Sequence, residues 1–249
     1  MKVDDVVIIE TSPIERVKYC LVGLPDVGLV GAISVSYIVK SLNMLETGYL
    51  ESDLLPPVMV VHNGDPKTPF RVYNKGDLTA ITSEVPVNRN AVDPMARCIV
   101  DWIKSKNVEL LISISGIAVQ NRLEIEAPMV YGVGTSPHVR ELFKKADVKT
   151  FEEGFIAGLH AVIAKECLKK NVPNAILLAQ SHLQYPDPGA AVSSVNALNK
   201  LLDLKVDVKR LTDQAEEIRI KTRELMHRTQ RSMQQMQKGQ EQEMPMMYT

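Results

Sequence analysis

Cysteine is scarce and unpaired in this chain: Cys20, Cys98 and Cys167 are odd in number, widely scattered and free of any CxxC spacing. That excludes a disulfide framework or a thiolate zinc site and fits buried thiols in a reducing compartment. The five histidines, His62, His138, His160, His182 and His227, form no HExxH or other metal spacing. No apolar run approaches the roughly 20 residues that span a bilayer. The opening MKVDDVVIIE carries acids where a secretory signal needs bases. Net charge is −1, so no global field attracts nucleic acid or anionic lipid. What is present is ordinary globular material, 249 residues of which 45% are apolar, enough to bury a core without staples. The expectation is a cytoplasmic protein with no metal or cofactor, and with neither nucleic acid nor membrane as partner.

Local patterns predict an alternation of strands and helices. Residues 3–9 and 17–22 are short β-branched runs, and GLPDVGLVGAISVSYIVKSLN predicts a helix to about Asn43 with Asp26 as its cap. Runs at 45–51, 58–62, 70–74 and 78–85, separated by Pro, Gly and Asn, predict hairpins. Ala91, Met95, Cys98, Ile99 and Trp102 fall at helical spacing, and VELLISIS (108–115) is the continuous apolar run of a strand covered on both faces. Further strands at 128–134 and 174–180 alternate with helices at 137–145, 155–170 and 190–202. This pattern predicts an α/β fold with a central, mainly parallel sheet flanked by helices.

The C-terminal region is organised differently. Leu204, Val208, Leu211, Ala215, Ile218, Thr222, Leu225, Thr229, Ser232 and Met236 alternate steps of four and three, a heptad seam that predicts packing on its own domain or on another subunit. Glu217–Lys221 and Glu224–Arg228 have the favourable i,i+4 orientation for ion pairs on the outer face. Gly239 and Pro245 interrupt the polar ending GQEQEMPMMYT, which is expected to be flexible. The domain reading is a core over 1–204, a C-terminal helix over 205–238 and a tail over 239–249.

Candidate chemistry is thin. Gly23-x4-Gly28-x2-Gly31 follows a strand and opens a helix, but it lacks the Rossmann spacing and the Lys-Ser/Thr of a P-loop. Either the glycines let a helix lie close to the sheet, or they leave room for an anion. His160 shares a stripe with Ile156, Ile163 and Cys167, as a core or interface histidine would. Glu124 and Glu126, two apart, would share one face of a strand as an acid pair might, although QNRLEIEAP reads as an exposed loop. Ser181-His182, at the end of a predicted strand, is the best-placed polar pair, because α/β folds bind ligands at strand carboxyl ends.

The blocks GLPDVGLVGAISVSYIV, ITSEVPV, DWIKSKNVELLISISGIAV, GFIAGLHAVIAKECLKKNV and YPDPGAAVSSVNALNKLL, in this order, resemble the proteasome assembly chaperone 2 family, particularly its archaeal branch. The resemblance covers about residues 5–205. It implies a core similar to the nucleoside-phosphorylase fold without that activity, self-association, and ATP-independent action on the 20S proteasome core particle. The ending Met247-Tyr248-Thr249 resembles the hydrophobic–Tyr–any-residue tails of proteasome activators and assembly chaperones, which dock in pockets of the α-ring. The resemblance thus implies no catalytic residue, partner binding through Met247, Tyr248 and Thr249, and a homo-oligomer, a tetramer favoured, with Leu204, Val208, Leu211, Ile218 and Leu225 as the seam. Two other readings stay open: a nucleoside phosphorylase or hydrolase using Ser181 and His182, and a pure assembly scaffold.

Overall fold

The computed structural model describes residues 5–243. Strands β1 (Val7–Glu10) and β2 (Tyr19–Gly23) lead through a 3-10 turn (Val27–Leu29) into α1 (Val30–Ser41). Then come β3 (Leu45–Glu51), the small hairpin β4 (Val60–His62) and β5 (Asp65–Lys67), and β6 (Phe70–Lys75) with β7 (Leu78–Ser83). Helix α2 (Arg89–Ser105) precedes β8 (Leu110–Ala118); β9 (Val130–Gly134), α3 (Pro137–Ala146) and β10 (Lys149–Thr150) follow. The chain closes with α4 (Gly158–Lys170), β11 (Asn174–Ser181), α5 (Pro188–Leu202), α6 (Lys209–Asp213) and α7 (Ala215–Glu243).

The main sheet has the order β1-β3-β6-β7-β2-β8-β11-β9-β10. Its centre, β7-β2-β8-β11, is parallel throughout. The flanks are antiparallel apart from the short β9–β10 pair, so the sheet is mixed around a parallel core. Strand β8 pairs with parallel strands on both edges and both its faces are covered, which is why it is buried without alternation from Leu110 to Gly116, Ser113 and Ser115 included. One core cluster packs α1, α3 and α5 on the first face, with Leu21, Ile112 and Leu177 beneath them. The second packs α2 and α4 on the opposite face around Met95, Ile99 and Ile163.

Three local expectations need correction. Asp26 does not cap α1 with its side chain; Gly28 (φ 61°) and Leu29 (φ 53°) take left-handed conformations, and α1 starts only at Val30. The Asp26 carboxylate is turned towards the sheet, where Ser115 Oγ donates to it and His160 Nε2 lies 3.2 Å away. Glu124 and Glu126 share no strand; they sit exposed in a 3-10 turn (Arg122–Glu124) and the loop after it. The C-terminal seam is not one helix from Leu204. Asn199 bonds both the N–H and the carbonyl of Val206, at 3.1 and 2.8 Å, and Tyr37 donates to the Asp207 carbonyl at 2.6 Å. These contacts hold 204–208 as a connector, so the helices begin at Lys209.

Candidate functional site

In parallel α/β sheets the carboxyl edge of the strands is where ligands gather. Here that edge is formed by Gly23, Ser83, Ala118 and Ser181, the ends of β2, β7, β8 and β11. Much of it is filled by protein. A side chain at Gly28 would lie 3.1 Å from Ser181 Cβ and closer still to its hydroxyl, while the Gly28 carbonyl accepts from Asp187 N at 2.8 Å. The turn that could cradle a phosphate is thus packed against β11, and Gly28 serves close approach with a backbone shape that favours glycine.

Ser181 and His182 do not form a nucleophile–base pair. The Ser181 hydroxyl is buried and donates to the His182 backbone carbonyl at 3.2 Å, while the His182 ring stands edge-on to Tyr185. Burial depresses the imidazole pKa below its ordinary value; Asp187 opposes this and Arg122 and Arg219 add to it. His160 is buried, with Nε2 on Asp26, but its Nδ1 and the Asp26 Oδ1 are enclosed without hydrogen-bond partners. Among the described residues no group of three His, Cys, Asp or Glu side chains could hold a metal ion.

The organising residue of this edge is Asp187. Its carboxylate takes a two-pronged ion pair from Arg122, at 2.7 and 2.9 Å, and accepts from His182 N at 3.1 Å and Ala190 N at 3.0 Å. It is fully buried and caps α5, with Pro188 in the first turn. Sequence reasoning missed it, although an Asp directly before Pro and an apolar helix is a readable cap signal. Its partner Arg122, 65 residues away, has no local signature.

Helix α7 runs beside the same edge. Gln230 donates to the Gln184 carbonyl at 2.7 Å, Ser232 to the Val87 carbonyl at 2.9 Å, and Arg89 to the Met236 carbonyl at 2.7 Å. Both expected surface pairs form, Glu217 with Lys221 and Glu224 with Arg228. The apolar seam is taken up by the chain itself. Leu211 is fully buried, which removes it as an exposed subunit contact; Leu204, Val208, Ile218 and Leu225 are half-buried against the α1–α5 cluster. Beyond Met236 the helix continues to Glu243, five residues past the expected end at Lys238 and about 10 Å past Met236. Met247, Tyr248 and Thr249 lie outside the described residues.

The sequence matches the model of the PAC2 family over residues 20–226. The chain belongs to the PAC2 family. An uncharacterised protein of Methanocaldococcus jannaschii is 28% identical over 224 residues, covering 90% of this chain and 92% of that one. The crystal structure of Pyrococcus furiosus PbaA, an archaeal homolog of proteasome-assembly chaperone, superposes with a TM-score of 0.85 at 28% identity, covering 91% of this chain and 99% of PbaA. Pyrococcus furiosus PbaB, an archaeal proteasome activator, matches with a TM-score of 0.75 at 20% identity over 89% of this chain and 99% of its own, a likeness of fold alone. The α/β architecture expected from the sequence is therefore a PAC2 family architecture, carrying a C-terminal helix that reaches beyond the matched region. Among the described residues, no helix is long and apolar enough to cross a membrane.

Proposed function

We infer that this protein acts by binding, as an ATP-independent assembly chaperone or activator of the 20S proteasome core particle in the cytoplasm. The observation that carries this reading is the near full-length similarity to PbaA, a homolog of proteasome-assembly chaperone. The packed carboxyl edge supports binding over turnover, because Gly28, Ser181 and Asp187 fill the crevice a substrate would need.

In this reading Met247, Tyr248 and Thr249 are the docking element. The Thr249 carboxylate pairs with a lysine between α-ring subunits, and Tyr248 buries its ring while its hydroxyl takes a hydrogen bond. Tyr248 lies five residues beyond Glu243, at most about 17 Å of extended chain, so α7 decides which pockets the tail can reach. A tail of three residues supplies about −4 to −6 kcal/mol, which is millimolar to high-micromolar affinity. Self-association raises this by roughly 10²–10⁴-fold when several tails dock together. The test is co-sedimentation of the full chain with the core particle, followed by fluorogenic peptide hydrolysis with and without it. Binding with faster hydrolysis identifies an activator; binding only to immature core particle identifies an assembly chaperone. No binding to either overturns the reading.

A further inference from the structure

Two loops on the carboxyl edge display apolar side chains that none of the described residues covers. Leu123 is 90% exposed and Tyr185 63%, with Leu183 exposed between them in sequence. These loops are held rigidly, since Arg122, beside Leu123, and the backbone of His182, beside Leu183, are both bound to the one buried Asp187 carboxylate. A buried ion pair contributes little net stability against an apolar replacement, but it fixes geometry. Exposed Glu124 and Glu126 follow Leu123 in the same loop, and neither forms an ion pair among the described residues.

The outer surface of α7 offers the opposite chemistry. Ile220 is 68% exposed and lies on one stripe with Arg223, His227 and Arg231, at spacings of three and four along the helix. Arg223 and Arg231 are exposed and make no ion pair among the described residues, whereas Arg219, Lys221 and Arg228 each have an acidic partner. The helix touches the second loop through Gln230 and Gln184, and the charge of Arg219 is felt at His182. An acidic–apolar patch and a basic–apolar stripe thus lie on elements joined by the Gln230–Gln184 contact.

We propose that the patch formed by Leu123, Glu124, Glu126, Leu183 and Tyr185 is a self-association surface that receives the Ile220–Arg223–Arg231 stripe of a second copy of this chain. Because the two halves lie on joined elements of one chain, one two-fold axis makes the contact twice, patch to stripe and stripe to patch. Opposite charges around an apolar centre set register and exclude wrong partners. The inference rests on the self-association in the functional reading above, and it moves the contact from the buried seam at Leu211 to the outer face of α7.

The test is sedimentation equilibrium on the full chain and three variants: Glu124→Lys with Glu126→Lys, Arg223→Glu with Arg231→Glu, and all four together. Each double reversal should weaken dimerisation by about tenfold or more, and the fourfold variant should recover most of the loss. Melting temperatures should stay within about 2 °C, since all four sites are exposed. A wild-type monomer at about 100 µM, reversals without effect, or no recovery in the fourfold variant each overturns the proposal. Core-particle binding is measured in parallel with a chain lacking 247–249. If that deletion abolishes core-particle binding while the reversals leave dimerisation unchanged, the patch is wrong and the tail reading stands; the converse result refutes the tail alone.

Discussion

Replacing Gly31 by alanine tests how tightly the first helix lies on the sheet. In an exposed helix this change stabilises by up to about 1 kcal/mol, because alanine loses less backbone freedom. Here the new methyl carbon would lie 3.1 Å from both the Ile114 carbonyl carbon and Gly23 Cα, and closer still to the Ile114 oxygen. None of these is the movable end of a flexible side chain, so α1 has to shift away from β8. Overpacking of this kind costs about 1–3 kcal/mol, and a rigid backbone neighbour places it at the upper end. The net loss is about 2 kcal/mol, which for a chain of this size lowers the melting temperature by about 4–8 °C. Differential scanning calorimetry reads it directly, and added nucleotide should shift the melting temperature of neither protein. A variant as stable as wild type or more so would refute the close-packing account of this glycine, and a nucleotide-induced rise of several degrees would reinstate an anion site.

Leu211→Ala should cost about 2–5 kcal/mol, because Leu211 is fully buried in its own chain. The difference from wild type should be the same at every protein concentration; a difference that grows or shrinks with concentration would return this residue to an interface. Asp187→Ala strands the buried Arg122 and removes the α5 cap, so denaturant unfolding should show about 3–5 kcal/mol lost; under about 1 kcal/mol would show that the pair is unimportant. Burial pushes the Cys98 thiol up to about 11 and Cys167 to about 12, and it raises Cys20 further. At pH 8 an aromatic disulfide reagent should therefore label none of them in the folded protein and all three after unfolding. The unfolded thiols lose their protons first, so these groups favour folding below the ordinary thiol pKa and lose that contribution as pH rises towards 11–12.

Much of the fold is written locally. The spacing of Ala91, Met95, Ile99 and Trp102 marks the inner face of α2, and all four are buried; the run before Ser115 marks the central strand. What escaped the sequence depends on partners far along the chain. Asp26 has the composition of a cap, but Ser115 and His160, 89 and 134 residues on, compete for its carboxylate and win. The heptad spacing continues through 204–208 although Asn199 holds that segment out of the helix. The Arg122–Asp187 pair that shapes the candidate site joins two loops that only the sheet brings together. Periodicity reports which face is apolar; it does not say whether a chain's own core or a second subunit covers it.

The most direct test is the affinity of this protein for the 20S core particle before and after loss of the side chain that anchors the tail. Surface-immobilised core particle should bind the full chain, and either Tyr248→Ala or removal of 247–249 should abolish binding with melting temperature and oligomer size unchanged. Added salt should weaken the wild-type complex, as a carboxylate–lysine contact requires. If the truncated chain binds the core particle as tightly as the full one, the tail is not the docking element and the account is wrong at its centre.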